Sequence, residues 1–248
     1  MNNDFINITS ENIENEHLCC IIRTKTKHEG VESKRAWIRD RIKEGHVFRK
    51  LVEKATVFIE YAPLEKAWVP IEGDNYYYIY CLWVLGEYRG KGYAKSLMEY
   101  CIDDARKNGK SGICMLAAQK QKAWLSSQDF VKKYGFKTVD TTDNGYELLA
   151  LSFDGSYPKF CENAKKMEID CQDLTIFYDN QCPYIYQTVN SIRKYCGENN
   201  VKLNLVLINS LEEAKKLPCV FNNFAVFYRG NFVTVNLLDV KTIERIIK

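Results

Sequence analysis

The 248-residue sequence is poor in proline, histidine and long apolar runs, and each shortage argues against a class of protein. Five prolines leave no proline-rich or collagen-like tract. The three histidines (His17, His28, His46) lie far from any cysteine pair and there is no CxxC motif, so we expect no metal site. No run approaches the roughly 18 apolar residues of a membrane span, and the first residues are polar and acidic. We therefore expect a cytoplasmic protein with no membrane partner.

The charge balance also argues against a nucleic-acid partner. The chain has 35 basic and 32 acidic residues, a formal charge of +3, and the charges do not segregate between its two halves. Hydrophobic residues make up 46% of the chain, which is typical of a globular protein. Ten cysteines are many for this length, and most are expected to be small buried hydrophobes, since a chain of this size needs no disulfides to fold.

Residues 1–154 carry the pattern of a mixed sheet flanked by helices. Apolar residues recur every three to four positions from Ala94 to Ala105, which predicts a helix with one face on a sheet. Runs rich in β-branched and aromatic residues predict the strands. In chain order we expect a strand at 5–9, a helix at 33–44, strands at 47–54, 55–62 and 76–85, a helix from 94, a strand at 112–118, a helix at 128–133, and strands at 137–140 and 146–153.

A second, smaller α/β domain is predicted over residues 155–248. Gly155 and Pro158 interrupt the periodic pattern and mark a linker at 154–158. Beyond it we expect a helix at 159–166, a strand at 174–178, a helix from 183, a strand at 202–208, a helix at 211–216, strands at 224–228 and 232–237, and a helix from 240. About 90 residues in a β-α-β-α-β-β-α order suffice for an independent domain.

The turn between the third long strand and its helix has the composition of a phosphate-binding loop. Residues 84–94 read VLGEYRGKGYA, where Gly90 and Gly92 admit a close approach of the backbone and Arg89 and Lys91 add positive charge. A helix N-terminus after such a turn presents free N–H groups to an anion. The turn matches neither a GxxxxGK[ST] P-loop nor a GxGxxG fingerprint, which argues against a nucleotide hydrolase or a dinucleotide-binding protein.

This turn resembles motif A of the GCN5-related N-acetyltransferases (GNAT), in which Arg or Gln is followed three residues later by Gly and then, after one more residue, by Gly or Ala. Arg89, Gly92 and Ala94 fill those positions. The strand before them supplies Leu82 and Val84 at the expected places, residues 112–118 resemble the fifth strand of the family, and residues 129–136 resemble its motif B. The resemblance covers roughly residues 1–153.

The resemblance implies acetyl-CoA as donor and a primary amine of a small molecule or peptide as acceptor, with direct transfer in a ternary complex. The pyrophosphate would lie on the N–H groups of Arg89, Gly90, Lys91, Gly92, Tyr93 and Ala94. The strand at Trp83 and Val84 would offer an N–H group to the thioester carbonyl, where negative charge develops.

The general acid and the general base of such a reaction are predicted from single residues, not from a motif. Family members often carry a tyrosine four residues before the motif B glycine, which here is Gly135, but that position is Val131 and the tyrosine nearest in sequence is Tyr134. Glu87 and Glu60 are candidate bases. The other candidate base is a water molecule held by two tyrosines of the predicted strand 76–85, Tyr78 and Tyr80.

A second motif lies in the predicted smaller domain. Cys182 and Pro183 follow an apolar strand at a helix start, where the helix dipole is expected to lower the pKa of a thiol. The stretch resembles the CPYC turn of thioredoxin-like proteins, with Ile185 in place of the second cysteine. A dithiol reaction would need Cys219 as partner, and the proline nearest to the position usual in that fold is Pro218.

The two-part arrangement as a whole resembles the YoaP-like family of acetyltransferases. We therefore predict an acetyl-CoA-dependent N-acetyltransferase with a thioredoxin-like accessory domain. The alternative is a CoA-binding or thiol-linked sensor without turnover, an alternative that Val131 and Ile185 keep open. The sequence does not indicate the acceptor, because variable loops form acceptor pockets. It does not indicate the oligomeric state either.

Overall fold

The structure, a computed structural model, describes residues 5–18, 20–21 and 27–248, and the chain divides into two units. The first unit contains the described residues up to 27 together with 35–67 and 72–159. The second contains 28–34, 68–71 and 160–248, and so includes two short segments from early in the chain. The domain boundary predicted after Asp154 stays a prediction.

The first unit is built on a seven-stranded mixed sheet, as the sequence predicts. In chain order its elements are β1 (Phe5–Asn7), α1 (Glu29–Ile42), β2 (Val47–Leu51), β3 (Val57–Pro63), a 3-10 turn (Leu64–Lys66), β4 (Ile71–Glu72), β5 (Tyr76–Val84), a 3-10 turn (Gly86–Tyr88), α2 (Tyr93–Lys107), β6 (Gly112–Ala118), α3 (Gln128–Lys132), β7 (Lys137–Thr141) and β8 (Tyr146–Ser152). Residues 29–34 of α1 and Ile71 of β4 belong to the second unit. The sheet order is β1-β2-β3-β5-β6-β8-β7, and β5 and β6 are its parallel pair.

Helix α2 covers one face of this sheet and fixes where its own N-terminus lies. Its buried residues form the stripe predicted from the sequence, namely Leu97, Met98, Cys101, Ile102 and Ala105. They pack in one core with residues of β3, β5 and β6. Burial of each large apolar side chain stabilises the unit by about 2 kcal/mol, so the helix and the strand that leads into it are held in register.

The second unit has a four-stranded sheet with helices. Its elements are β9 (Lys159–Phe160, with Lys159 in the first unit), a 3-10 turn (Glu162–Lys165), β10 (Leu174–Tyr178), α4 (Tyr184–Glu198), β11 (Leu203–Leu207), α5 (Leu211–Lys215), β12 (Phe224–Tyr228), β13 (Asn231–Thr234) and α6 (Val240–Ile247). The sheet order is β11-β10-β12-β13, with β10 and β11 parallel and the other pairs antiparallel. From β10 onward the element order is the β-α-β-α-β-β-α predicted from the sequence.

The helix predicted over 159–166 is wrong. Residues 159–160 form a short strand that pairs with β4, and only a 3-10 turn follows at 162–165. The backbone N–H of Cys161 donates to the carbonyl of Pro70 at 3.0 Å. This partner is distant in sequence, so the local apolar pattern carries no sign of the pairing.

Candidate active site

Strands β5 and β6 pair over three positions and then separate. The parallel pairs run from Tyr76 with Gly112 to Tyr78 with Cys114. Beyond them β5 continues to Val84 and β6 to Ala118, while β5 stays paired with β3 as far as Val84. Because β6 does not pair with this part of β5, a wedge opens between the two strands and leaves backbone groups of β5 available to a ligand.

A β-bulge lies beside this wedge. Glu60 pairs with Cys81 and Tyr61 pairs with Ile79, so that Tyr80 is an extra residue in β5. Bulges bend a strand and change the direction of the residues that follow. Since the bulge comes two residues after the last pair with β6, it contributes to the separation of the strands.

The turn after β5 ends in a helix N-terminus whose donors face open space. Gly90 has φ 75° and Gly92 has φ 83°, left-handed values that favour glycine. A Cβ atom added at either glycine would meet nothing within 4 Å. No side chain caps α2, and the first intrahelical bond within it is donated by Ser96 to Gly92 at 3.0 Å. The N–H groups of Tyr93, Ala94 and Lys95 therefore have no acceptor within the helix, as an anion-binding turn requires.

Side chains around this turn hold it in place. The Lys91 ammonium lies 5.6 Å from the centre of the Tyr88 ring, and the Tyr88 hydroxyl donates to Glu53 Oε2 at 3.1 Å. The Nε of Arg89 lies 3.4 Å from the carbonyl oxygen of Val84. Two cationic residues thus belong to the turn that leads to these N–H groups, which makes the turn attractive to a phosphate.

A cavity of about 390 Å³ lies between the end of β5 and the loop 119–127 that follows β6. It is lined mainly by apolar side chains, with Arg89 and Lys122 as cations. Four of the residues predicted to bind the cofactor line it, namely Trp83, Val84, Arg89 and Ala94. The other predicted cofactor residues, Gly90, Lys91, Gly92 and Tyr93, form the turn and the start of α2 described above.

The candidate bases are not among the residues that line this cavity. Glu87 is exposed on the turn between β5 and α2. Glu60 is fully buried on β3, and its Oε1 lies 2.9 Å from His46 Nε2. The ring of His46 contacts those of Trp37 and Tyr80, at centroid distances of 5.2 and 5.4 Å. The base roles of both glutamates stay predictions.

The candidate acid Tyr134 lines a different cavity, together with α2 residues that include Glu99 and Asp103. Burial, and then the charge of Glu99, raise the pKa of the Tyr134 hydroxyl. Val131, at the position where family members often have tyrosine, is fully buried. The structure therefore does not bring Tyr134 together with the residues of the motif A turn around one cavity.

The loop 119–127 supplies cavity residues that the sequence analysis missed. Lys122 and Trp124 both line the cavity, and Trp124 has φ 68° and is 41% exposed. Left-handed backbone is uncommon for a bulky residue and occurs more often at functional sites. The signal available in the sequence was a tryptophan in a mainly polar stretch, QKQKAWLSS.

In the second unit, buried polar groups surround the residue before Cys182. Lys34 is 1% exposed, and its Nζ donates to the Gln181 carbonyl at 2.6 Å. The N–H of Gln181 donates to Asp179 Oδ1 at 2.9 Å, and Asn223 Nδ2 donates to Gln181 Oε1 at 2.7 Å. Cys182 is half-buried directly before Pro183, which occupies the N-cap position of α4. These bonds fix the backbone that carries the thiol.

Cys219, the possible partner of Cys182, is fully buried, and burial raises the pKa of its thiol. The backbone has no cis peptide bond among the described residues, Pro218 included.

The described residues contain no group of three or more His, Cys, Asp and Glu side chains that could hold a metal ion. Across residues 5–18, 20–21 and 27–248, no helix is long and apolar enough to cross a membrane.

Comparisons with known proteins match both units. The acetyltransferase (GNAT) family matches residues 12–136, and a family described as YoaP-like matches residues 202–245. The chain is 38% identical over 245 residues to "Uncharacterized N-acetyltransferase YoaP" of Bacillus subtilis (strain 168), and the match covers 98% of each chain.

Two solved structures share a lower similarity. An N-acetyltransferase from Staphylococcus aureus Mu50 is 14% identical with a TM-score of 0.42, over 60% of this chain and 99% of that one. The structure described as "yncA, a putative ACETYLTRANSFERASE from Salmonella typhimurium with its cofactor Acetyl-CoA" is 17% identical with a TM-score of 0.42, over 62% of this chain and 96% of that one. The family assignment rests on the sequence matches.

Proposed function

The chain belongs to the acetyltransferase (GNAT) family, and we propose that it transfers the acetyl group of acetyl-CoA directly to an amine within a ternary complex. The observation that carries this proposal is the turn from β5 into α2, where Gly90 and Gly92 leave an open cradle at a helix N-terminus. The cradle fits a pyrophosphate, because the free N–H groups, the helix dipole and two cationic side chains all favour an anion there.

The cavity beside the cradle suits the remaining part of the donor. Its apolar lining and its place along the end of β5 would hold the pantetheine arm, with the thioester near Trp83 and Val84. Acetyl-CoA supplies an activated acyl group. The chain's own contribution is a β5 N–H group directed at the thioester oxygen, which stabilises the negative charge that develops when the amine attacks.

The reaction balances without a covalent enzyme intermediate. A C–N bond forms, the C–S bond breaks, CoA leaves as a thiolate, and the amine loses one proton. We keep Glu87 and Glu60 as candidate acceptors of that proton, and Tyr134 as the candidate donor to the thiolate. A CoA thiolate is a good leaving group, so loss of the donor need not stop the reaction.

We also propose that the second unit is a thioredoxin-like accessory domain that helps to hold the acceptor. Support for this proposal comes from the sheet order β11-β10-β12-β13, with Cys182 between β10 and α4. As part of the same proposal, the thiol of Cys182 is reactive. The hydrogen bonds to the backbone of Gln181 support this, since they hold the chain directly before Cys182 in a fixed position.

Free CoA thiol released from acetyl-CoA by the purified protein, measured across a panel of amines, tests the proposed function. We expect release that depends on at least one amine and on the concentration of protein. Binding of CoA with no release on any amine would favour the alternative, a CoA-binding or thiol-linked sensor. No CoA binding at all would contradict both.

A further inference from the structure

The first turn of α2, which carries the N–H groups of the proposed phosphate cradle, lies outside the fully buried core of the first unit. The buried stripe of this helix begins only at Leu97, whereas Lys95 and Ser96 are exposed. Gly90 and Gly92 precede the turn, and a glycine loses more backbone freedom on ordering than any other residue. Contacts outside the core therefore decide how well these N–H groups are ordered before an anion binds.

Tyr93, the first residue of α2, makes two such contacts with its ring. The ring centre lies 5.9 Å from that of Phe5 on β1, in an edge-to-face arrangement, and 6.0 Å from that of Tyr88. Aromatic pairs at these distances attract each other beyond the effect of burial. The contact with Tyr88 joins the two ends of the turn that contains the glycines, and the contact with Phe5 joins this turn to the edge of the sheet.

Both partners of the Tyr93 ring are themselves fixed at the end of β2. Phe5 pairs with Leu51, the last residue of β2, and Leu51 is buried. The Tyr88 hydroxyl donates to Glu53 Oε2 at 3.1 Å, two residues beyond the end of that strand. The position of the Tyr93 ring, and with it the direction of the first N–H groups of α2, is thus set by the edge of the sheet.

We infer that Phe5 is a positioning residue for the donor: through the ring of Tyr93 it orders the first N–H groups of α2 in the direction in which they bind the pyrophosphate. A cradle ordered in advance binds more tightly, because less freedom is lost on binding. The inference rests on the proposed function and adds a residue that lies outside the range 12–136 matched by the GNAT family. Phe5 acts through Tyr93 and is not a catalytic residue.

A double-mutant cycle on CoA binding tests whether Phe5 acts through Tyr93. By calorimetry we expect Phe5→Leu to weaken CoA binding about fivefold, which corresponds to the roughly 1 kcal/mol of one aromatic pair. In the double variant Phe5→Leu/Tyr93→Leu, the first substitution should cause no further loss beyond that of Tyr93→Leu alone. Phe5→Tyr, which keeps a ring at this position, should bind CoA within about twofold of the wild type.

Tyr100→Leu is the matched control. Tyr100 lies about two turns further along α2 and packs against the same core. Its hydroxyl accepts from Asn7 Nδ2 of β1 at 2.8 Å, and the Arg49 guanidinium lies 3.8 Å from the centre of its ring. Replacement by leucine therefore removes contacts of α2 with the same strands but leaves the start of the helix intact. We expect a lower melting temperature, as for Phe5→Leu, and CoA affinity within about twofold of the wild type.

Steady-state kinetics with an amine that supports thiol release give a second readout. Phe5→Leu should raise KM for acetyl-CoA by a similar factor and leave kcat within about twofold, because a pyrophosphate contact is made equally in the bound and transition states. A fall in kcat at unchanged KM would overturn the inference.

The binding data decide the inference even if no amine is acetylated. Unchanged CoA affinity in Phe5→Leu, a further loss in the double variant, or an equal loss in Tyr100→Leu would each overturn it. Absence of thiol release with every amine, by contrast, contradicts only the proposed transfer.

Discussion

At the scale of single residues, the two candidate bases differ most in burial. Glu60 is fully buried against His46, whereas Glu87 is exposed on a turn. Because Glu60→Ala leaves His46 without this hydrogen-bond partner, we expect it to lower the free energy of unfolding by about 3 kcal/mol. Glu87→Ala should change it by no more than about 0.5 kcal/mol. Denaturant unfolding measures the free energy of unfolding of both variants. An equal loss of unfolding free energy in the two variants would contradict the placement of the two side chains.

The isosteric variants Glu60→Gln and Glu87→Gln identify the base. Ionisation of the catalytic base gives the acidic limb of the dependence of kcat/KM on pH, and only its replacement should remove that limb. If both variants retain the limb, the role passes to a water near Tyr78 or Tyr80.

Cys182 is predicted to be the most reactive thiol. It is half-buried at the start of α4, whereas Cys101, Cys196 and Cys219 are buried, and burial raises the pKa of each of those three thiols. Since the thiolate is the reactive form, we expect iodoacetamide near neutral pH to label Cys182 before the other three. Peptide mapping after limited labelling measures the order. Labelling of Cys196 or of the half-buried Cys161 first would contradict the reactive-thiol prediction.

At the scale of elements, the segment before α1 makes stability depend on pH through His17. The imidazole Nε2 lies 3.0 Å from the carbonyl oxygen of Ala55, and burial, followed by the charge of Lys50, lowers the pKa of His17 to about 4. An unfolded histidine has a pKa near 6.5, so between about pH 6.5 and 4 the unfolded chain binds a proton that the folded chain does not. Stability should therefore fall as the pH drops through this window and be unaffected by His17 above it.

The variant His17→Gln tests this dependence. Its unfolding free energy should decline less steeply than that of the wild type between about pH 6.5 and 4, and the two curves should run parallel from pH 7 to 8. Parallel curves over the whole range would contradict the assignment.

Elements with a local apolar pattern could be predicted from the sequence, and those that depend on distant partners could not. The stripe on α2 and the run at β6 fix both elements, because each buries a continuous face. The pairing of β9 with β4 is set by residues about 90 positions apart in the chain, so a helix was predicted in its place. The same limit applies to the site: the turn at 89–94 has a local motif, whereas Lys122 and Trp124 reach the cavity only because β6 returns the chain to it.

At the scale of the whole molecule, the second unit draws on segments from the first part of the chain. Lys34 bonds to Gln181, and the carbonyl of Ile71 accepts from Lys215 Nζ at 2.6 Å. A chain ending at Asp154 keeps the turn and the cavity but removes the partners of both segments. We expect it to bind CoA, to unfold at a lower temperature, and to lose acceptor turnover. Full acceptor turnover by this shortened chain would contradict the proposal that the second unit helps to hold the acceptor.

The central claim is that CoA binds at the turn from β5 into α2, and a pair of glycine variants tests it most directly. Gly92 and Gly109 flank the same helix, both have positive φ (83° and 62°), and a Cβ at either would meet nothing within 4 Å. Valine at either position therefore imposes a similar backbone strain of about 1–2 kcal/mol, but only at Gly92 does it alter the proposed phosphate cradle. By calorimetry we predict that Gly92→Val weakens CoA binding by at least about tenfold, while Gly109→Val leaves it within about twofold of the wild type. Unchanged affinity in Gly92→Val, or an equal loss in both variants, would contradict the placement of CoA at this turn.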